Sequence, residues 1–289
     1  MVCLPELPEV ETIVKALRHP AAWPFQPGGG LTAQPGVIGR RIAGAAVLWT
    51  RTIAIPDADD FAAQVCGLTV RGVKRRGKFI LVDLAPKALL IHLRMSGDLR
   101  VEEMGQPVQT HDRLILNFED GTRLVFNDTR KFGRVWLVDD PDTVICKLGP
   151  DPFDEDLNPQ SFHAFLHKRH RRIKPLLLDQ NFIAGIGNIY SDEALFRAKI
   201  HPLSFSDKLE PSEAGQLLQA IRDVLSEGIE RNGASIDWVY KGGSFQNHFK
   251  VYQRTGLACE ICTTPIERIV LGQRSTHFCP KCQPFTDIA

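Results

Sequence analysis

The hydrophobic positions of this chain have a strand-like spacing in its first half. Short apolar segments follow one another between Val37 and Val138, and turn-forming residues such as Glu119-Asp120-Gly121 separate them. The pattern predicts strands over residues 45–50, 69–73, 79–84, 89–93, 113–118, 122–127 and 135–138. Many short strands at this spacing are typical of a β-sandwich.

Helical spacing marks the beginning of the chain and its second half. The apolar residues that predict a helix over residues 8–19 are Val10, Ile13, Val14 and Leu17. A second, longer helix is predicted from the stripe Leu217, Leu218, Ile221, Val224, Leu225 and Ile229. The dipeptide Asn232-Gly233 should end that helix, and the stripe is interpreted as a packing face.

Two segments rich in proline and glycine divide the chain. We interpret residues 20–36 as a flexible surface insertion and Leu148-Gly-Pro-Asp-Pro152 as a hinge between domains. The sequence therefore predicts an α+β multidomain protein. Its parts are an N-terminal β-sandwich domain with flanking helices (1–147), the hinge (148–152), a helical domain (153–248) and a small C-terminal unit (249–284).

Composition and charge narrow the classes of function. With 289 residues, 43% hydrophobic content and a net charge of +1, the chain has the composition of an ordinary globular protein. We expect no secretory signal and no membrane span, and therefore a cytoplasmic location. The basic residues concentrate in two tracts, Arg71–Lys78 and Lys168–Lys174. Such tracts suit a phosphate backbone, although either could also be a solvated face.

Four of the seven cysteines form two C-x-x-C pairs, Cys259 with Cys262 and Cys279 with Cys282. This spacing predicts one tetrahedral Zn²⁺ on a β-hairpin, since each pair can occupy a tight turn. Four thiolates leave no position for water, so the ion would be structural and would hold the C-terminal unit folded. The remaining cysteines are interpreted as packed or exposed thiols.

The segment Pro5-Glu-Leu-Pro-Glu-Val-Glu11 is the most informative for chemistry. A proline at the start of a chain is a secondary amine, which can attack an aldehyde carbon and give a charged iminium. The carboxylates beside it could move protons. However, Met1-Val2-Cys3-Leu4 precedes Pro5, and an amide nitrogen is not a nucleophile.

The segment from Asn181 to Glu193 contains Gly185 and Gly187 ahead of a predicted helix that Asn188 could cap. A glycine turn that leads into a helix exposes backbone N–H groups to a phosphate. The alternative is a plain helix–turn–helix packing unit.

Four further residues suit a protein that pushes a base out of a DNA duplex. They are Lys78, Met95, Arg130 and Phe132. Apolar side chains can fill the gap in the duplex, and an arginine can contact the orphaned partner base. Each residue alone is weak evidence, because Met95 and Phe132 would be core residues more often than not.

Together these motifs resemble the formamidopyrimidine-DNA glycosylase family of bacterial repair enzymes. The resemblance runs in order from Pro5 to about Gln283, and it rests on the segments Pro5–Glu11, Arg75–Lys78, Asp128–Gly133, Gly185–Tyr190 and the cysteine pairs. It implies a two-helix, eight-stranded β-sandwich as the catalytic domain, followed by a helix–two-turns–helix DNA-binding domain and a zinc finger.

The resemblance also implies roles for individual residues. Pro5 would be the nucleophile at C1′, Glu6 an acid/base, and Lys78 and Arg274 would assist β- and δ-elimination. Met95, Arg130 and Phe132 would fill the void left by the flipped base. The implied DNA-backbone contacts are His111, Lys168, His170, Lys174 and Asn188, and the segment Lys241–Gln246 would close over the base.

The expected function is therefore base-excision repair of damaged double-stranded DNA by a monomeric, nucleoid-associated glycosylase and lyase with one structural zinc. Two alternatives stay open: a lesion-binding protein whose Pro5 is blocked, and an endonuclease VIII-like pyrimidine glycosylase. Leu7 favours the purine branch. Residues 20–36 are longer than the family's usual connection. We predict that the native protein begins at Pro5, through initiation at the Leu4 codon.

Overall fold

The computed structural model describes residues 5–19, 36–235 and 242–285. Met1–Leu4, nearly all of the predicted insertion and Lys241 of the predicted closing segment lie outside these residues. The chain divides into two compact units. The first contains Met1–Cys146 and Asn232–Gly243, and the second contains Lys147–Arg231 and Ser244–Ala289. The segment Asn232–Gly243 thus belongs to the first unit, although the chain on both sides of it belongs to the second.

Two sheets make up the first unit. Its strands are β1 (Ile42–Val47), β2 (Ile53–Ile55), β3 (Gly72–Arg76), β4 (Phe79–Leu84), β5 (Lys87–His92), β6 (Gly97–Glu103), β7 (Asp112–Phe118), β8 (Thr122–Asp128) and β9 (Arg134–Val138). One sheet has the order β1-β7-β8-β6 and the other the order β2-β9-β5-β4-β3. The predicted β-sandwich is confirmed, with nine strands rather than eight among the described residues.

The hydrophobic pattern missed two of these strands for different reasons. β2 is only three residues long and joins the edge of its sheet parallel to β9. β6 alternates core residues such as Leu99 and Val101 with charged ones, so its apolar signal is short. The predicted boundaries of β1 and β3 were also wrong by about three residues, because the strands begin where a neighbouring strand offers backbone partners.

Helices α1 (Leu7–Arg18), α2 (Ala58–Val65) and α3 (Asp142–Ile145) complete the first unit. The apolar face of α1 lies against β3 and β4. Val10, Val14 and Leu17 on that face are fully buried and share one core cluster with Phe118 and Phe126 of the sheets. Burial of a side chain of this size contributes about 1.5–3 kcal/mol. Pro5 and Glu6, which precede α1, are therefore attached to a helix that is firmly packed against the sheets.

The second unit is helical and carries a hairpin. Its elements are α4 (Pro159–His167), α5 (Ile173–Leu177), α6 (Asn188–Arg197), α7 (Pro211–Glu230), β10 (Glu267–Leu271) and β11 (Arg274–Phe278). α7 begins with Pro211 and a capping box of Glu210 and Glu213. It ends before Asn232 and Gly233, whose φ angles of 57° and 79° are left-handed, so the predicted end is confirmed. No helix among the described residues has both the length and the apolar character that a membrane crossing needs.

Candidate functional site

Pro5 lies directly ahead of the first turn of α1, beside two buried carboxylates. Glu6 is the N-cap residue and forms a reciprocal capping box with Glu9. The Glu6 backbone N–H donates to Glu9 Oε2 at 2.8 Å. The orientation of Glu6 is therefore fixed, and the nitrogen of Pro5 lies at the positive end of the helix dipole, where an ammonium ion is disfavoured.

Glu9 is one of the carboxylates near Pro5, but the sequence prediction gave it no role of its own. Its Oε1 accepts the Ala234 N–H at 2.7 Å, and it is 3% exposed. A Cβ atom on Gly233 would lie 2.6 Å from the same oxygen, so these two segments of the chain approach at a point where only glycine fits. One carboxylate thus joins the turn that carries Glu6 to the segment that follows α7. The spacing Glu6-x-x-Glu9 indicates a capping box, but only the fold places Ala234 beside it.

Lys78 lies on the tight turn between β3 and β4, where Gly77 has a φ of 56°. It is half-buried and close to His92, whose ring packs edge-on against Phe79 at 4.7 Å. Burial, with the charges of Arg94 and Lys78, lowers the pKa of His92 to about 3. His92 Nδ1 accepts the Arg94 N–H at 3.0 Å, so the neutral ring carries its proton on Nε2. His92 is therefore a candidate hydrogen-bond donor through Nε2. The sequence prediction missed it, because its surroundings exist only in the folded sheet.

The three predicted void-filling residues lie on two turns at the same edge of the sandwich. Met95 is on the turn from β5 to β6, and Arg130 and Phe132 are on the turn from β8 to β9. These turns are neighbours because β5 pairs with β9 in one sheet and β6 pairs with β8 in the other. Phe132 is 48% exposed, and the Arg130 guanidinium lies 5.2 Å from its ring centre. Phe132 is therefore not a core residue, and a large apolar ring is available at this edge.

His111 is half-buried ahead of β7, and its Nδ1 lies 3.2 Å from Arg113 Nη2. Arg113 also donates from Nε to the Asp128 carbonyl at 2.8 Å. His111 is thus attached to the end of β8, from which the turn with Arg130 starts.

In the second unit, the basic tract Lys168–Lys174 divides into exposed and buried members. Lys168 and His170 are exposed, and His170 Nδ1 lies 2.9 Å from Asp207. Lys174 has no exposed surface, and its ammonium contacts Asp192 Oδ1 at 2.5 Å, Ser191 Oγ at 2.8 Å and the Asn188 carbonyl at 2.9 Å. The Lys174 amine is enclosed in an ion pair that holds α5 to α6, an environment that does not favour the predicted contact with the DNA backbone.

Asn188 does not cap α6, which corrects the sequence prediction. Gly187 is the N-cap residue, and Asn188 is the first residue of the helix. Its Nδ2 donates to the Ser275 carbonyl of β11 at 3.0 Å, and no hydrogen-bond partner of its buried Oδ1 is found in the described part of the chain. Asn188 therefore joins the glycine turn to the hairpin.

The hairpin places Arg274 directly after its turn. Gly272 and Gln273 have φ angles of 53° and 63°, the left-handed pair that a two-residue hairpin turn requires. Arg274 is the first residue of β11 and is exposed. Its guanidinium is therefore accessible at the tip of the hairpin.

The four predicted zinc ligands meet in one cluster. The sulfur atoms of Cys259, Cys262, Cys279 and Cys282 all lie within 4.8 Å of one another. The separations are 3.9 Å for Cys259 and Cys282 and 3.4 Å for Cys262 and Cys279, close to the roughly 3.8 Å between ligands of tetrahedral Zn²⁺. Burial and the neighbouring thiols raise the pKa of Cys282 and so disfavour its thiolate form. A bound cation would stabilise the thiolate. The donor set fits one structural zinc ion, which confirms the prediction.

Family models match three consecutive parts of the chain. The formamidopyrimidine-DNA glycosylase N-terminal domain matches residues 30–135, the H2TH domain of the same family matches residues 148–239, and the zinc finger found in FPG and IleRS matches residues 256–284. These ranges follow the order of sandwich, helices and hairpin in the structure.

Relatives match over nearly the full length. The formamidopyrimidine-DNA glycosylases of Enterococcus faecalis and Chloroflexus aggregans are 40% and 43% identical, over 97% of this chain and 97% and 98% of theirs. The crystal structure of Lactococcus lactis Fpg bound non-covalently to DNA with an AP site has a TM-score of 0.85 at 34% identity. MutM in complex with DNA containing carbocyclic 8-oxo-G has a TM-score of 0.85 at 33% identity, and in both cases 97% of this chain and 100% of the other are covered. The chain therefore belongs to the formamidopyrimidine-DNA glycosylase family.

Proposed function

We propose that Pro5 is the nucleophile with which this DNA glycosylase and AP lyase excises oxidised purines, 8-oxoguanine and formamidopyrimidines, from double-stranded DNA. The observation that carries the proposal is the position of Pro5 at the start of α1, beside the buried Glu6 carboxylate. The positive end of the helix disfavours the ammonium form, and an α-amino group already has a pKa near 8. A useful fraction of free amine follows at neutral pH.

One nucleophile serves both activities, excision of the base and cleavage of the strand. The Pro5 nitrogen attacks C1′, the glycosidic bond breaks, and the base leaves with a proton. Opening of the sugar ring, with Glu6 as the acid at O4′, gives an iminium between C1′ and the proline nitrogen. The iminium accepts the electron pair released when the C2′ proton is removed, and the C3′–O bond breaks with loss of the 3′ phosphate. A second elimination breaks the C5′–O bond.

Lys78 and Arg274 take supporting roles in this proposal. Lys78, on the turn after β3, supplies a proton and contacts a phosphate during β-elimination, and Arg274, at the tip of the hairpin, does so during δ-elimination. Zinc supplies no chemical step, because its four cysteine ligands leave no open position.

DNA binding is proposed to use the members of the predicted set that are exposed or half-buried. Met95, Arg130 and Phe132 would occupy the gap left by the flipped nucleotide. His111, Lys168, His170 and Asn188 are the proposed contacts with the DNA backbone, and Lys174 is omitted because it is buried.

The proposal also includes the oligomeric state, the location and the domain boundaries of the chain. The chain acts as a monomer in the cytoplasm, associated with the nucleoid. Its domains are 1–147, 153–248 and 249–284 with a hinge at 148–152, which is supported by the start of the second family model at residue 148 and by the change of unit after Cys146. Residues 20–36 have no assigned role.

The proposal requires that Met1–Leu4 are absent from the active form. Borohydride reduces an iminium and leaves a covalent protein–DNA adduct, so trapping on a duplex with 8-oxoguanine tests it. We expect a chain that starts at Pro5 to be trapped and the full-length chain not to be. Equal trapping of both would exclude Pro5 and point to Lys78. Trapping of neither, with retained binding to the lesion, would support the lesion-binding alternative. Mass spectrometry of the active native protein should show Pro5 as its first residue.

A further inference from the structure

One buried carboxylate lies beneath both turns that carry the proposed void-filling residues. Asp128, the last residue of β8, is 1% exposed. Its Oδ1 accepts the hydroxyl proton of Ser96, which follows Met95, and the Arg130 N–H at 3.1 Å. Its Oδ2 accepts the Gly133 N–H at 2.7 Å, immediately after Phe132. The Arg130 N–H is also 2.9 Å from Ser96 Oγ. The backbone on both sides of Arg130 and Phe132 is therefore bonded to one side chain.

The ring of Phe126 lies beneath the same two turns. It is 1% exposed and sits two residues before Asp128 on β8. A Cβ atom on Gly97 would lie 2.7 Å from Phe126 Cε2, and one on Gly133 would lie 2.3 Å from Phe126 Cζ. Neither glycine has a left-handed φ, so these positions require glycine for its lack of a side chain. Each turn thus ends on a glycine, Gly97 or Gly133, that packs closely against the edge of the Phe126 ring.

We propose that Asp128, supported by Phe126, is a positioning residue that fixes Met95, Arg130 and Phe132 relative to one another for insertion into the duplex. The proposal rests on the proposed function, which places these three residues in the gap. Ordering flexible side chains at the moment of binding costs free energy, and a support that orders their backbone beforehand reduces that cost. A carboxylate with three donors in a dry site is suited to this because it cannot release any of them without leaving a buried polar group unpaired.

The test compares two substrates with the chain that starts at Pro5. Excision from an 8-oxoguanine·cytosine duplex needs the base to be pushed out, whereas β-elimination at an abasic site in single-stranded DNA does not. In Asp128→Asn, one acceptor becomes an NH₂ group that faces donors. We expect single-turnover excision from the duplex to fall at least about tenfold, while the rate on the single strand changes less than about threefold.

A second readout does not depend on the covalent chemistry. The fluorescence of 2-aminopurine placed beside the lesion reports unstacking, so Asp128→Asn should slow its rise by a similar factor. If Pro5 is not the nucleophile, trapping is abolished, but the fluorescence still rises more slowly in Asp128→Asn than in the wild type. If Asp128 has no positioning role, the fluorescence of Asp128→Asn rises at the wild-type rate.

Two further variants keep the result interpretable. Ser96→Ala removes one donor without changing a charge, and it should shift the ratio of the two rates in the same direction by about threefold; it decides the matter if Asp128→Asn does not fold. Glu102→Gln is the matched control, since Glu102 is an ion-paired carboxylate farther along the same β6–β8 pair, bonded to Arg100 and Arg123. It should leave the ratio unchanged. Folded Asp128→Asn and Ser96→Ala proteins with the wild-type ratio, or equal losses on both substrates, would overturn the proposal.

Discussion

Lys78 in the first unit and Lys174 in the second each end a dense basic tract, yet the structure uses them differently. Lys78 lies half-buried on a turn between strands, whereas Lys174 is fully enclosed and paired with Asp192. The difference extends to the units around them. The first unit carries Met95, Arg130 and Phe132 on turns at one edge of its sandwich. In the second unit Lys174 and Asp192 connect α5, α6 and the hairpin, and four cysteines form the zinc cluster. Basic density alone therefore does not identify the residues available to DNA.

A substitution in the zinc cluster should have the largest effect on folding, because zinc binding is the strongest of these stabilising interactions. Cys282→Ala removes one of four ligands, and zinc contributes about 10 kcal/mol or more to the folding of comparable fingers. We expect loss of bound zinc and rapid hydrogen exchange of the β11 amides. Cys146→Ala, which changes an exposed thiol outside the cluster, is the control and should retain one zinc per chain. Retention of zinc and of β11 protection in Cys282→Ala would contradict the assignment.

Lys174→Met tests the buried ion pair. The substitution leaves the Asp192 carboxylate buried with His277 as its remaining side-chain partner, which should cost about 3–5 kcal/mol in the free energy of unfolding. Lys168→Met, at an exposed position of the same tract, should cost less than about 0.5 kcal/mol. Urea unfolding measures both. If Lys174→Met kept its stability and instead weakened DNA binding with a smaller salt dependence, Lys174 would be a backbone contact after all.

Lys78→Ala should reverse this pattern. We expect a change of less than about 0.5 kcal/mol in stability and a loss of about a hundredfold in the single-turnover rate of β-elimination at an abasic site, the usual size of a general-acid contribution. Lys74→Ala, an exposed lysine on β3, is the matched control and should cleave normally. A stable Lys78→Ala protein with the wild-type elimination rate would remove Lys78 from the mechanism.

The pH dependence of stability should show the environment of His92. Its pKa is about 3 in the folded protein and about 6.5 in the unfolded chain, so the unfolded chain binds the extra proton between these values. Stability therefore falls as the pH is lowered from 6.5 towards 3, by at most about 1.4 kcal/mol per pH unit. His92→Gln should reduce this slope. An unchanged slope in His92→Gln would show that the ring is solvated.

Much of the site could be predicted before the fold was known. The cysteine spacing specified the zinc ligands, because a tight C-x-x-C turn determines which sulfur atoms can meet. The helical period predicted α1 and α7, and the order of motifs indicated the family. Predictions were poorer where one residue type has two common environments. Lys174 looked like Lys168, and Asn188 looked like a cap, since a polar side chain near a helix start satisfies the same pattern whether it faces water or a neighbouring strand.

The sequence by itself determined the chemistry that is available: a proline and carboxylates ahead of a helix, four thiols for zinc, and apolar and basic residues suited to a flipped base. Only the tertiary structure decided which of these groups are accessible and which are joined. Asp128 beneath two turns, Glu9 beside Ala234 and Lys174 beside Asp192 are contacts between segments distant along the chain. Hydrophobic and turn patterns are local, whereas burial and hydrogen-bond partners depend on which elements pack together, so these contacts have no signature in any single segment.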